Sequence, residues 1–216
     1  GTVGSSNITV KNGVTSIGMS STVGALNISS GGNITTTGNV SGKTDLSLVS
    51  TATNGSIALG GTTSAANTVT LTSTGTGTMT STGTISGASV AINGGTGAVG
   101  ALPTATTSLT LNTAGATTIS NTIGANLSVS GTIGSGTISN DNAVTTGALS
   151  ATNGALTVNS AGNLTTTGVV GATTDVTLAS TSGNGAIALQ ADVNATNSIT
   201  LTATGNGTIT STNTVQ

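Results

Sequence analysis

Only six of the 216 residues carry a charge: Lys11, Lys43, Asp45, Asp141, Asp175 and Asp192. His, Cys, Glu, Arg and all three aromatic types are absent. Hydrolytic and redox chemistry needs a nucleophile beside a base, paired carboxylates or a metal. Ser and Thr hydroxyls are plentiful, but no imidazole exists to activate one. Lys11 and Lys43 are the conceivable bases for a Ser–Lys pair, and no spacing ties either to a particular Ser. Asp45 and Asp175 stand in matching contexts, TDLSL and TDVTL. They could supply one metal or sugar contact each. A calcium-binding solenoid, however, needs an Asp in every short repeat, and one carboxylate does not provide the several oxygens that Ca²⁺ takes. The expected role of both is therefore a corner residue that hydrogen-bonds its own backbone. No catalytic, cofactor-binding or metal-ligating residue is expected, and the chain is not expected to be an enzyme.

Other ligand classes fare no better. The glycines of GGTGAVG (94–100) suggest a phosphate cradle, but neither a Lys-Ser/Thr pair nor a helix follows. Two lysines do not make a nucleic-acid surface. No apolar run approaches the ~18 residues of a membrane helix. Asn-x-Ser/Thr sequons occur at Asn7, Asn27, Asn33, Asn39, Asn54, Asn126, Asn163, Asn194 and Asn206. With 79 Ser and Thr among 216 residues, 21 asparagines would give about eight sequons by chance, so these signal no glycosylation. The expected role of Asn is side-chain stacking at corners.

The elements that carry these residues are set by a repeat. ALNISSGGNITTTGNV (25–40) returns as ALTVNSAGNLTTTGVV (155–170), and TDLSLVSTATNGSIAL (44–59) as TDVTLASTSGNGAIAL (174–189). The offset is 130 throughout. GTVGSS (1–6) matches GTIGSG (131–136), and over 1–86 against 131–216 there are 44 identities without a gap. Apolar positions stay apolar: Ile28 becomes Val158, Leu46 Val176, Val69 Ile199, and Met79 Ile209. The chain thus reads as one unit, 1–130, continuous with a second, truncated unit, 131–216. GTVGSSNITV lacks the basic start and apolar block of a signal peptide, there is no initiator Met, and neither end resembles a capping unit. The expectation is an excerpt from a longer protein.

Inside the unit runs a shorter beat. Apolar pairs two apart recur as Leu26/Ile28, Leu46/Leu48, Val69/Leu71, Val90/Ile92, Leu109/Leu111 and Leu127/Val129, at steps of 20, 23, 21, 19 and 18. Alternation with period 2 marks strands with one buried face. Thr, Val and Ile are β-branched and favour strands; the 34 glycines favour corners. Charge is too sparse for self-repulsion to hold the chain open. The spacing predicts an all-β solenoid of about ten coils of roughly 18–23 residues, with about six coils per unit, roughly 22 residues each, and three short strands per coil. Leu71, Met79 and Ile85 should point inward, with the intervening Thr in solvent-facing ladders. Ten coils at a strand spacing of about 4.8 Å make a rod about 50 Å long.

The segments GNITTTGNVSG, NGSIALGG, GTMTSTGTISG and GNLTTTGVVGA resemble the repeats of filamentous haemagglutinin-type exoproteins, bacterial adhesins exported by two-partner secretion. The resemblance spans essentially the whole chain. It implies a right-handed parallel β-helix, a handedness that parallel crossovers also favour. It further implies the shaft of a secreted fibre at the bacterial outer surface, with any host-cell or surface receptor engaged elsewhere in the protein. The expected partners are flanking repeats of the same chain, or identical subunits stacked through open solenoid ends as a self-assembling filament or sheath. A Thr-ladder ice binder is the further alternative, and would need Thr-x-Thr at one fixed place in every coil. Nucleic acid and direct membrane insertion are not expected.

Overall fold

The structure, a computed structural model, describes residues 2, 3 and 5–216. Gly1 and Gly4 of the opening GTVGSS match lie outside the described residues. The described residues form strands, turns and bends without a helix. All strand pairs are parallel, and they stack into one 15-stranded and one 13-stranded sheet. Strands joined by hydrogen bonds lie 17 to 23 residues apart in the chain. This is a β-solenoid of about ten coils.

The register follows the apolar beat. Leu26 pairs with Leu46, Leu46 with Val69, Val69 with Val90, and Val90 with Leu109. The next step differs from expectation: Leu109 pairs with Val129, not Leu127, and Leu111 pairs with Gly131. Gly131 has φ +123°, and a Cβ there would lie 1.8 Å from the Leu111 carbonyl oxygen. Only a residue without a Cβ fits both the dihedral and the gap, so the strand slides two residues and places Gly131 under Leu111. Leu26, Ile28, Leu46, Leu48, Val69, Leu71, Val90 and Ile92 are all buried. Each fully buried aliphatic side chain contributes about 1.5–3 kcal/mol, so the stack needs no aromatic anchor.

Counting along the column changes the reading of the repeat. From Leu26 through Leu46, Val69, Val90, Leu109 and Val129 to Thr146 is six coils in 120 residues. Leu156, the 130-residue equivalent of Leu26, is not on this column. It lies in the other sheet, paired with Gly136 and Val176. The unit is therefore six and a half coils averaging 20 residues, not six of about 22. Each unit is turned half a revolution against the last and raised by about 31 Å at a spacing of about 4.8 Å.

The half-turn arises in the middle of the chain. In the first 86 residues each coil has one long strand, such as Leu26–Ser30, and two short ones, Ile34–Thr36 and Val40–Gly42, which makes three sides as expected. The two short strands Met79–Ser81 and Ile85–Ser86 are then covered by the single strand Val99–Ala105, through Met79↔Val99 and Ile85↔Thr104. From there to residue 151 the coils are flat, with two long strands each. The corner reappears on the opposite side, where Val144–Ala151 is followed by the short strands Leu164–Thr166 and Val170–Ala172. The repeat boundary between Ser130 and Gly131 falls inside the strand Leu127–Ile133.

Leu71, Met79 and Ile85 are buried as expected. The Thr between them, from Thr72 to Thr84, are exposed or half-buried and none is buried, as expected. Elsewhere the pattern differs. Thr36, Thr63, Thr146 and Thr166 point inward, and their hydroxyls have no hydrogen-bond partner. The methyl group of Thr lets it fill an aliphatic column, at the cost of a desolvated hydroxyl.

Candidate functional site

The charged residues are dispersed along the rod. Among the described residues no three Asp, Glu, His or Cys side chains gather where they could hold a metal ion. Lys11 and Lys43 are exposed at two different corners, Lys11 after the strand Ser6–Val10 and Lys43 after Val40–Gly42. The expectation that the aspartates bond their own backbone is corrected by geometry. Asp45 Oδ1 accepts from the Thr68 backbone N–H at 3.2 Å, and Asp175 Oδ1 from the Ser198 hydroxyl at 2.6 Å. Both partners sit on the next coil, 23 residues on. Asp192 Oδ1 accepts from Thr214 N–H at 3.0 Å, and both Asp141 oxygens accept from Gly124 N–H at 3.0 Å. Each of the four carboxylates clips two coils together.

Asparagine does the same work. Asn33 Oδ1 accepts from Ser56 N–H and Asn39 Oδ1 from Thr62 N–H, both at 3.0 Å; Asn163, the equivalent of Asn33, accepts from Ala186 N–H at 3.0 Å. Asn27 Nδ2 donates to Asn7 Oδ1 at 2.8 Å. Asn33, Asn39 and Asn163 are at corners as expected, whereas Asn7 and Asn27 stack within the strands Ser6–Val10 and Leu26–Ser30; all five occupy sequons. The glycines of GGTGAVG also serve stacking. A Cβ at Gly95 would lie 2.0 Å from Gly75 O, and one at Gly97 2.2 Å from Gly77 O. Gly77 sits equally close to Gly55, and Gly115 to Gly97. At this corner successive backbones touch, and no phosphate cradle forms.

Two buried polar columns close the corners at the ends of the long strands. On the first unit, Ser30 Oγ donates to Asn12 O and Ser50 Oγ to Gly32 O, each at 2.8 Å. Ser160 and Ser180 repeat this, at 3.0 Å to Asn142 O and 2.7 Å to Gly162 O. In the flat coils the column continues as Thr104, Asn121 and Asn140, which pair in register with Ser160. Asn121 Oδ1 accepts from Thr104 Oγ1 at 2.9 Å and Thr106 N–H at 3.0 Å. Its Nδ2 donates to Thr106 O at 2.9 Å and to Asn140 Oδ1 at 2.7 Å. Asn140 Nδ2 donates to Ala125 O at 3.1 Å and Ala143 O at 2.9 Å. Nothing in the sequence separates these two buried asparagines from the other nineteen; the register alone does.

The outward surface is a set of hydroxyl rows. Thr118, Thr137, Thr157, Thr177 and Thr200 stand on five successive coils in one row. The neighbouring row reads Ser120, Ser139, Asn159, Ala179, Thr202. Thr-x-Thr thus occurs on this face at Thr200/Thr202, and on the opposite face at Thr70/Thr72. A shallow groove of about 630 Å³ runs past Ser150, Ala151, Gly171, Ala172, Asn194 and Ala195, where small side chains leave the rod narrow. Compared with protein-family models, with curated proteins and with solved structures, the chain has no match.

Proposed function

We propose that this chain is a length of structural rod, without catalysis, from a large fibrous adhesin exported to the bacterial surface or the medium. One observation carries the reading: the stack runs in register for about ten coils, across the repeat boundary, with every corner spent on joining one coil to the next. Backbone pairing, aliphatic columns and Ser, Asn and Asp clips all act along the axis, and the outward strand faces carry mainly uncharged hydroxyl rows. Such a body supplies length and stiffness, and further 130-residue units could extend it in phase. The resemblance to filamentous haemagglutinin-type repeats supports the adhesin context. The test is immunogold microscopy of intact producing cells with antibodies raised against this chain. Label on fibres outside the cell is expected; label confined to the cell interior would overturn the reading.

A second reading, end-to-end assembly of identical subunits, has its own support. The N-terminal coil turns Ile8 and Val14 toward its open face, where they are only partly buried. The last coil presents Leu201, Ile209 and Val215. By the 130-residue repeat these three are the equivalents of Leu71, Met79 and Ile85, and the columns of Leu71 and Met79 begin with Ile8 and Val14. A second copy turned by half a revolution therefore sets Leu201 against Ile8 and Ile209 against Val14, and offers the unpaired outer edges of Ser6–Val10 and Val14–Ser16 to pair with. Sedimentation of the purified chain separates the readings. Concentration-dependent filaments that Ile8→Lys abolishes support assembly, and a monomer at all concentrations excludes it.

A further inference from the structure

The chain contains six Asn-Gly dipeptides, at Asn12, Asn54, Asn93, Asn153, Asn184 and Asn206. In this dipeptide the glycine nitrogen can reach the asparagine carboxamide, because no side chain shields it. The solenoid treats the six very differently. Gly55 N–H donates to Ala52 O at 3.0 Å, Gly185 N–H to Ser182 O at 3.2 Å, and Gly207 N–H to Thr204 O at 3.2 Å. Asn93 and Gly94 lie within the strand Ser89–Gly94, which is paired on both edges. Asn153 Nδ2 donates to Ala114 O at 3.3 Å, which holds its carboxamide against the rod.

Asn12–Gly13 alone has neither restraint. Both residues are exposed, the Asn12 carboxamide has no partner, and Gly13 N–H donates to nothing. Ser30 Oγ donates to the Asn12 carbonyl oxygen at 2.8 Å. That bond draws density from the peptide group containing the Gly13 nitrogen and makes its N–H more acidic. The second unit is the internal control. The equivalent residues are Asn142 and Ala143; Ala143 N–H donates to Asn142 Oδ1 at 2.8 Å, and Asn142 Nδ2 to Gly124 O at 3.0 Å.

We propose that Asn12–Gly13 is a self-modification site, at which the chain converts its own asparagine to aspartate and isoaspartate with water as the only co-reactant. The Gly13 nitrogen gives its proton to water or hydroxide and attacks Asn12 Cγ. The N–Cγ bond forms, the Cγ–Nδ2 bond breaks, and Nδ2 leaves as ammonia after taking up a proton. One water then opens the cyclic imide at either carbonyl. The product adds one negative charge to a chain whose formal net charge is −2. The isoaspartate form also lengthens the backbone of the first coil where the second rests on it, since a Cβ at Gly32 would lie 2.7 Å from Gly13 N. The corner becomes an age mark on the rod.

Peptide mapping by mass spectrometry, on the whole chain held in mildly alkaline buffer, tests this. Asn12 should convert at least about fivefold faster than Asn54, Asn184 and Asn206, whose glycine N–H must first break a hydrogen bond. In denaturant the six rates should converge. Gly13→Ala should abolish the fast conversion while keeping the fold, as Ala143 does at the same place in the second unit. Native rates at Asn12 no faster than at the bonded sites would overturn the proposal. So would an unchanged ranking in denaturant, or an unchanged rate in Gly13→Ala.

Discussion

The three-sided coils of the first 86 residues and the flat coils between 89 and 151 close the end of a long strand with different chemistry. In the three-sided coils a small hydroxyl is enough. Ser50 reaches one carbonyl of the coil beneath, at 2.8 Å, and the short strands absorb the rest of a coil as long as 23 residues. In the flat coils only 17 residues separate Thr104 from Asn121, and the backbone must reverse sharply between two long strands. There a carboxamide takes over, because it is longer than a hydroxyl and carries two N–H donors beside its acceptor oxygen. Asn121 reaches Thr104, Thr106 and Asn140 together. The difference teaches that coil length and corner chemistry are coupled. Shorter coils leave more backbone groups to satisfy inside the corner, and a longer, two-way side chain satisfies them.

The sharpest way to break this contrast is Asn121→Ala. It removes the partners of the Thr106 backbone N–H and C=O, the Thr104 hydroxyl and Asn140 Oδ1, and should cost about 3–5 kcal/mol in denaturant unfolding. Ser50→Ala, the same experiment in a three-sided coil, should cost only about 1 kcal/mol. Equal losses would dissolve the distinction between the regions. Between these extremes comes the neighbouring glycine corner, where Gly97→Ala sets a methyl 2.2 Å from a carbonyl oxygen of the coil beneath. Forcing that backbone apart should cost about 2 kcal/mol, read as a lowered unfolding midpoint.

Thr36→Val tests the inward threonines with the opposite sign. Its hydroxyl is buried and unpartnered, so a methyl in its place should stabilise the three-sided region by about 1 kcal/mol. A loss of stability would mean that the hydroxyl has a partner. The smallest effect belongs to Asp45→Asn, which keeps an acceptor for Thr68 N–H and should move stability by less than about 0.5 kcal/mol. On the surface, the interrupted rows should give no thermal hysteresis at millimolar protein; measurable hysteresis would revive the ice-binding alternative.

Much of this architecture was legible in the residues. Four of the five spacings between apolar pairs coincide with the strand register, because each pair fills two successive inward positions of a long strand. The step from Leu109 failed at Gly131, where backbone geometry outranks hydrophobic matching. That two-residue slip, with the compressed coils beside it, hid the half coil in the 130-residue unit. Asp45 stands at a corner and Asp175 at the first residue of the strand Asp175–Ser180, but their partners lie 23 residues ahead. Such partners follow from coil length, and local turn patterns do not contain them. Asn121 and Asn140 were invisible for the same reason: burial at a corner depends on which residue the stack sets above and below.

The half-turn between units is the claim on which the account rests, and engineered disulfides test it directly, since the chain has no cysteine of its own. Thr137 and Thr157 are register partners, at the Cα separation of about 5 Å that neighbouring strands give and a disulfide accepts. Thr137→Cys with Thr157→Cys should cross-link readily under mild oxidation. Ser128→Cys with Thr157→Cys, which a whole number of coils per unit would bring onto one face, should not. Cross-linking of the second pair and not the first would contradict the six-and-a-half-coil unit.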